Sequence, residues 1–68
     1  MNHVSKIITL VGESPNSWVE ATANLIKAAQ TSLHGITRVR VVEFDVKLAD
    51  EKIDTYRVKA EVSFRVEK

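Results

Sequence analysis

From Thr55 to Val66 the chain alternates without a fault. Tyr56, Val58, Ala60, Val62, Phe64 and Val66 share one parity, and Thr55, Arg57, Lys59, Glu61, Ser63 and Arg65 share the other. Successive side chains of a strand point to opposite faces, so this pattern requires a long strand with one face under an apolar layer and one face polar. A chain of 68 residues has little material from which to build that layer. It also contains no cysteine, which removes disulfide staples, thiolate zinc sites and thiol nucleophiles. Domains this small commonly draw on a staple, a metal or association. With disulfides absent, association is the expectation, and much of the sheet surface is then subunit interface. The length leaves room for one domain, residues 1–68.

The cover for the strand is legible upstream. Trp18 to His34 reads as an amphipathic helix, with Trp18, Thr22, Leu25 and Ala29 on one stripe, Ala21 and Ala28 widening it, and Glu20, Asn24, Lys27, Thr31 and His34 opposite. The alanines predict a close approach of helix to sheet. Ser14 is read as the N-cap with Pro15 at the first helical position, and Gly35 as a left-handed stop. His3 to Val11 is a β-branched strand in which Val4, Ile8 and Leu10 share a parity, broken by Lys6, while Ile7 and Val11 occupy the other face. Ile36 to Leu48 is a strand whose phase slips, since Val39 and Val41 are odd and Phe44, Val46 and Leu48 even. A β-bulge at Val41-Val42 restores a single apolar face. The alternative is burial on different faces along its length, as at subunit contacts. Ala49-Asp50-Glu51-Lys52 is a polar hairpin loop. The fold class is therefore α+β in the order β-α-β-β. If the first strand pairs with the third, the sheet is antiparallel throughout with the best-patterned strand central.

Ten Lys/Arg against nine Asp/Glu argue against a strongly basic nucleic-acid binder. The apolar runs are too short for a membrane helix, and the N-terminus lacks a signal-peptide pattern. The expectation is a soluble, cytoplasmic protein with no nucleic acid or membrane partner. Enzyme signatures are missing: there is no Gly-rich phosphate loop, nucleophile elbow or His-x-x-x-His pair. Catalysis is not expected.

Several residue groups are candidates for binding. Gly12-Glu13-Ser14 opens a helix and could hold an anion, but an ordinary capped helix start accounts for it better. His3 and His34 read as surface histidines. Asp50, Glu51 and Asp54 offer three hard-oxygen ligands for calcium at the hairpin loop, although the spacing matches no known calcium loop and a solvated turn is the preferred reading. Trp18 is a core or interface anchor, or, given a second aromatic that the sequence does not reveal, a stacking platform. Arg38 and Arg40 share a parity, as do Arg57, Lys59 and Arg65. In a hairpin they form a cationic surface for phosphate or carboxylate groups, or else pair between subunits with Glu43, Asp45 and Glu61.

The segment Gly12-Glu13-Ser14-Pro15-Asn16-Ser17-Trp18, the alanine-rich helix and the segment Tyr56-Arg57-Val58-Lys59-Ala60-Glu61-Val62-Ser63-Phe64 together resemble the dodecin family, from about Val4 to Glu67. The resemblance implies a three-stranded antiparallel sheet wrapped around one helix, and assembly into a hollow twelve-subunit shell of cubic symmetry. It also implies where a ligand sits. Flavin-binding members stack flavins (FMN or riboflavin) on a tryptophan early in strand two, and a glutamine in strand three bonds the flavin ring. The matching positions here are Arg38 and Arg57, within Ile36-Thr37-Arg38-Val39-Arg40-Val41 and after Tyr56. Both contacts are changed, and loss of the indole is expected to weaken flavin binding. The same departures resemble the subgroup called calcium dodecins. The resemblance thus implies a non-enzymatic homododecameric shell that binds small ligands or ions at subunit contacts. Arg38 and Arg57 are its ligand-binding candidates, Arg40 and Lys59 its anion-binding candidates, and its metal ligands remain unassigned. Calcium is the first ligand, a flavin held by altered contacts the second, and an anionic cofactor such as coenzyme A the third.

Overall fold

The computed structural model describes residues 4–66, so the readings that fall on His3 and Glu67 lie outside the described residues. Four elements follow one another: β1 (Ser5–Ser14), α1 (Trp18–Ser32), β2 (Ile36–Ala49) and β3 (Lys52–Arg65). The sheet order is β1-β3-β2, antiparallel throughout, with the strictly alternating strand in the centre. The expected α+β arrangement is therefore observed.

The core forms where α1 lies on the sheet. Ala21, Leu25 and Ala29, at helical spacing, meet Val58, Ala60 and Val62 of β3. Ile8 and Leu10 of β1, and Ile36 and Val39 of β2, close the sides. Ala28, expected to widen the helical stripe, is exposed instead.

The slipped phase of β2 is resolved by a bulge at the expected place. Val41 pairs with Ala60 and Glu43 with Lys59, which leaves Val42 as the extra residue. Val39, Val41, Phe44 and Val46 then share the face that carries Val58 and Val62. Two further shifts were not foreseen. Thr37 is extra between Ile36 and Arg38, and Asp54 is extra on β3 opposite the Lys47/Leu48 step. The second brings Leu48 and Ile53 opposite each other on the apolar side. The hairpin closes through only two residues, Asp50 and Glu51, at φ 51° and 65°. Two successive left-handed residues match the twist of the strands they join.

Several details of the first half differ from expectation. Strand β1 does not stop at Gly12 but continues through Glu13 and Ser14, which pair with Arg57 and Tyr56. Gly12 is a packing residue: a Cβ there would stand 2.3 Å from the Ala21 carbonyl oxygen and 2.7 Å from the Leu25 Cβ. The glycine admits the helix to the strand, so it is not an anion-binding turn. The N-cap is Ser17, whose Oγ accepts a hydrogen bond from the Glu20 N–H at 3.0 Å. Ser14 is buried at the end of β1. Its hydroxyl accepts the Asn16 N–H at 2.9 Å and donates to the Glu20 carboxylate. At the other end the helix stops at Ser32, with Leu33 as the cap donating its N–H to the Ala29 carbonyl. Gly35, at φ 73°, turns the chain into β2 rather than ending the helix. His34 thus lies beyond the last helical turn.

Replacing Gly12 with alanine is expected to force the helix off β1 and destabilise the fold by about 1–3 kcal/mol, the range for overpacking a filled site, read as a lowered urea midpoint. The helix start is expected to be acid-sensitive. The Ser14 hydroxyl, and after it the Asn16 amide, hold the Glu20 carboxyl below its ordinary value of 4.5, against a smaller opposing effect of burial. A group whose pKa falls on folding stabilises the fold above its unfolded value and loses that contribution as pH drops through the folded one. Melting temperatures of the parent should therefore fall relative to Glu20→Gln as pH is lowered below about 4.5, and the two curves should run parallel at neutral pH.

Candidate functional site

The outer face of the sheet, away from the helix, carries the candidate residues in cross-strand rows. At one end Glu13, Arg57 and Asp45 form a row, followed by Val11, Lys59 and Glu43, then by Thr9, Glu61 and Arg40. In each row a cation has a carboxylate from a neighbouring strand. Arg57 Nε stands 3.7 Å from Glu13 and 3.9 Å from Asp45, Lys59 Nζ 3.9 Å from Glu43, and Arg40 donates to Glu61 at 3.2 Å. Glu43, Asp45 and Glu61 are thus paired across strands of one chain, whereas one of the two readings of the sequence paired them between subunits. All of these side chains keep substantial contact with water, so each pair is worth no more than about 1 kcal/mol. Their larger effect is to fix strand register, since a one-residue slip would set charges such as Arg57 and Lys59 opposite apolar residues of the other face.

Arg57 is the least satisfied member. Its Nε is shielded from water and lacks a hydrogen-bond partner among the described residues, because its two carboxylates stand at ion-pair rather than hydrogen-bond distance. A small cleft of about 40 Å³ opens beside it, lined by Val11, Glu43, Asp45, Arg57 and Lys59.

Arg38 is placed differently. Two positions along β2 from Arg40 and in the same register, it faces Ser63, beyond the last ion-paired row. It lines an open cavity of about 370 Å³ with Ser5, Thr37 and Ser63. Arg38 and Arg57 share a face but not a site. Their partners on β3, Ser63 and the Arg57 position itself, are six residues apart, about 20 Å at the rise of a strand. A small ligand touching both positions has to be held by two chains.

On the helix side of the sheet Trp18 has the aromatic company that the sequence did not reveal. Its ring centroid lies 5.3 Å from that of Phe44 and 5.1 Å from that of Tyr56, the latter edge to face. Its Nε1–H donates to the Asp45 carbonyl at 3.0 Å. The signal was available, because the bulge that restores the phase of β2 also puts Phe44 on the face of Tyr56. The cluster ends the core where the helix begins. Phe44, 61% exposed, continues toward Leu48 and Ile53, 59% and 51% exposed, on the hairpin beyond the reach of the helix.

Among the described residues, no three Asp, Glu or His side chains come together so as to hold a metal ion. Asp50 and Glu51 are exposed at the hairpin tip, and the Asp54 carboxylate accepts the hydroxyl of its neighbour Thr55. Nor, among the described residues, is any helix long and apolar enough to cross a membrane.

Comparison with known proteins places this geometry. The family model described as Dodecin matches residues 4–67. The chain is 40% identical over 63 residues to a calcium dodecin of Mycobacterium tuberculosis, covering 93% of this chain and 89% of that protein. Among solved structures, the dodecin of Streptomyces davaonensis superposes with a TM-score of 0.95 at 32% identity over the whole of both chains. The calcium dodecin of M. tuberculosis, described as a calcium-chelating antigen with a novel calcium-binding site, gives 0.84 at 42% identity over 94% of this chain and 91% of its own. Sequence and backbone rank these two relatives in opposite order, so they share a fold whatever ligand each carries. A central alternating strand, a helix seated on Gly12, and a family match that spans the described chain have one reading: this chain belongs to the dodecin family.

Proposed function

We propose that the chain works as a subunit of a dodecin-type homododecameric shell in the cytoplasm, a single domain over residues 1–68 without catalytic activity, and that the shell binds and sequesters calcium at contacts between subunits. The observation that carries the calcium reading is the 40% identity over 93% of the chain with a protein named as a calcium dodecin. The replaced flavin contacts support it. The positions that resemble the flavin-stacking tryptophan and the flavin-bonding glutamine are Arg38 and Arg57.

The geometry adds a condition. Calcium takes six to eight oxygens, and one chain offers no group of three acidic or histidine ligands among the described residues. Its outer-face carboxylates stand singly or in pairs: Glu13 and Asp45 about Arg57, Glu43 beside Lys59. A calcium site therefore needs carboxylates from more than one copy, and ion binding is coupled to assembly. The surplus of exposed apolar side chains supports assembly independently, since Ile7 and Val11 on the outer face and Leu48 and Ile53 on the hairpin need cover that a lone chain lacks.

A second reading rests on Arg57. Its unsatisfied Nε–H occupies the position that resembles the flavin-bonding glutamine, and such a donor suits a ring carbonyl of a flavin supplied with altered stacking.

Native mass spectrometry of the purified protein separates these readings. A twelve-subunit species with excess mass in multiples of calcium is expected, together with a melting temperature that rises with added calcium and falls with chelator, because a ligand bound only by the folded assembly stabilises it by mass action. Excess mass matching flavin would select the second reading. A monomer, or a dodecamer whose melting ignores both calcium and chelator, would overturn the first.

A further inference from the structure

Along the outer face, cations are answered row by row until the row of Arg38. Arg57, Lys59 and Arg40 each have a carboxylate within 4 Å. Arg38 has none among the described residues, and its row partner on β3 is the hydroxyl residue Ser63. The next position outward on that face of β3 is Arg65, paired in register with Ser5. This end of the sheet thus gathers two arginines and three hydroxyl side chains, Ser5, Thr37 and Ser63, with Ile7 as the apolar residue that faces Ser63 from β1. The cavity of about 370 Å³ is lined by Ser5, Thr37, Arg38 and Ser63.

The local backbone accounts for this arrangement. Arg38 keeps the register of the Arg40–Glu61 row and so faces Ser63, and the extra residue Thr37 then lets Ile36 pair with Phe64. The Thr37 hydroxyl makes only a long hydrogen bond, 3.4 Å, to the Ser63 carbonyl. It is therefore available to a better partner.

We propose that Arg38, with the hydroxyls of Ser5, Thr37 and Ser63, forms a binding site for a phosphoryl group. A guanidinium presents a planar fork of donors that matches two oxygens of a tetrahedral oxyanion, and hydroxyls donate to the remaining ones. A carboxylate can also take the fork and accept from hydroxyls, but a tetrahedral oxyanion has further oxygens and so matches three hydroxyls more fully. An aromatic ring uses the arginine by stacking and none of the hydroxyls. The site differs from the carboxylate-bearing rows in both position and sign of charge, so it stands or falls separately from the calcium reading.

The test is isothermal titration of the assembled, full-length protein in calcium-free buffer with inorganic phosphate, adenosine monophosphate and adenosine. Saturable binding of phosphate or of adenosine monophosphate is expected, weakening as sodium chloride is raised. Adenosine should not bind. Tighter binding of inorganic phosphate assigns the site to the free ion, and tighter binding of the nucleotide assigns it to a phosphate monoester of a larger cofactor. Arg38→Gln should lower affinity by about tenfold or more, the loss expected when one charge-assisted hydrogen bond is removed. Thr37→Val, which removes a single hydroxyl and keeps the charge, should lower it severalfold. Lys27→Gln, on the far face of the helix, should leave it unchanged. Absence of saturable binding to the parent, equal affinity of the Arg38→Gln variant, or adenosine binding as tightly as its monophosphate would overturn the proposal. Because no calcium is present, failure here leaves the calcium reading untouched, and failure of calcium binding leaves this one untouched.

Discussion

The structure depends on a mismatch of lengths. Helix α1 has 15 residues and spans about 22 Å at the rise of an α-helix. Strands β2 and β3 have 14 residues each and span about 46 Å, so the molecule extends over 53 × 20 × 13 Å. One helix therefore covers about half of the sheet. Gly12 decides which half, because only a residue without a Cβ lets the Ala21 backbone and Leu25 come down on β1. Everything past Trp18 toward the hairpin tip is left without a second layer, although the sequence keeps it apolar. A lone chain of this design leaves surface that water disfavours, and copies of the chain are the natural cover.

The outer face answers a different requirement. An antiparallel strand pair can slip in register, and the penalty for slipping comes from what the slip puts opposite what. On the helix side that penalty is steric and hydrophobic, acting through Val58, Ala60 and Val62. On the other side it is electrostatic. Carboxylates and cations face each other from Glu13–Arg57–Asp45 to Glu61–Arg40, so the two faces enforce the same register by independent means. The pairs are too exposed to contribute much stability individually. Their arrangement matters more than their number.

How much of this could be read from the sequence varied with the range of the interaction. Strand β3 was legible because alternation is a local property. The bulge at Val42 was legible because a phase slip in an otherwise clean pattern has few structural remedies. The helix start was misread because Ser14-Pro15 carries a familiar capping pattern. The stronger signal lay three residues on, where Ser17 precedes Glu20 at capping-box spacing. Gly12 read as a break because glycine usually punctuates strands. Its actual role depends on a helix that arrives later in the chain. The Trp18–Phe44–Tyr56 cluster and the separation of Arg38 from Arg57 depend on cross-strand register, which three irregularities reset. Thr37 and Asp54 also switch the apolar parity, from Ile36 to Val39 and from Ile53 to Tyr56, but each lies near a strand end, where a single apolar residue sets the phase.

The end of the sheet at Arg38 gains its meaning from repetition. In a closed symmetric assembly every copy presents the same surface, so whatever one chain leaves uncompensated is multiplied by the number of subunits and gathered around the symmetry axes. Paired rows can be multiplied without difficulty, since each brings its own counter-charge. An arginine facing hydroxyls brings no counter-charge of its own, so wherever assembly takes it out of water it needs one from elsewhere. A lone chain tolerates Arg38 as ordinary solvated surface. An assembly that takes it out of water has to supply it with an anion, either a carboxylate from a neighbouring copy or a ligand taken from solution, and in that case assembly and anion binding are coupled.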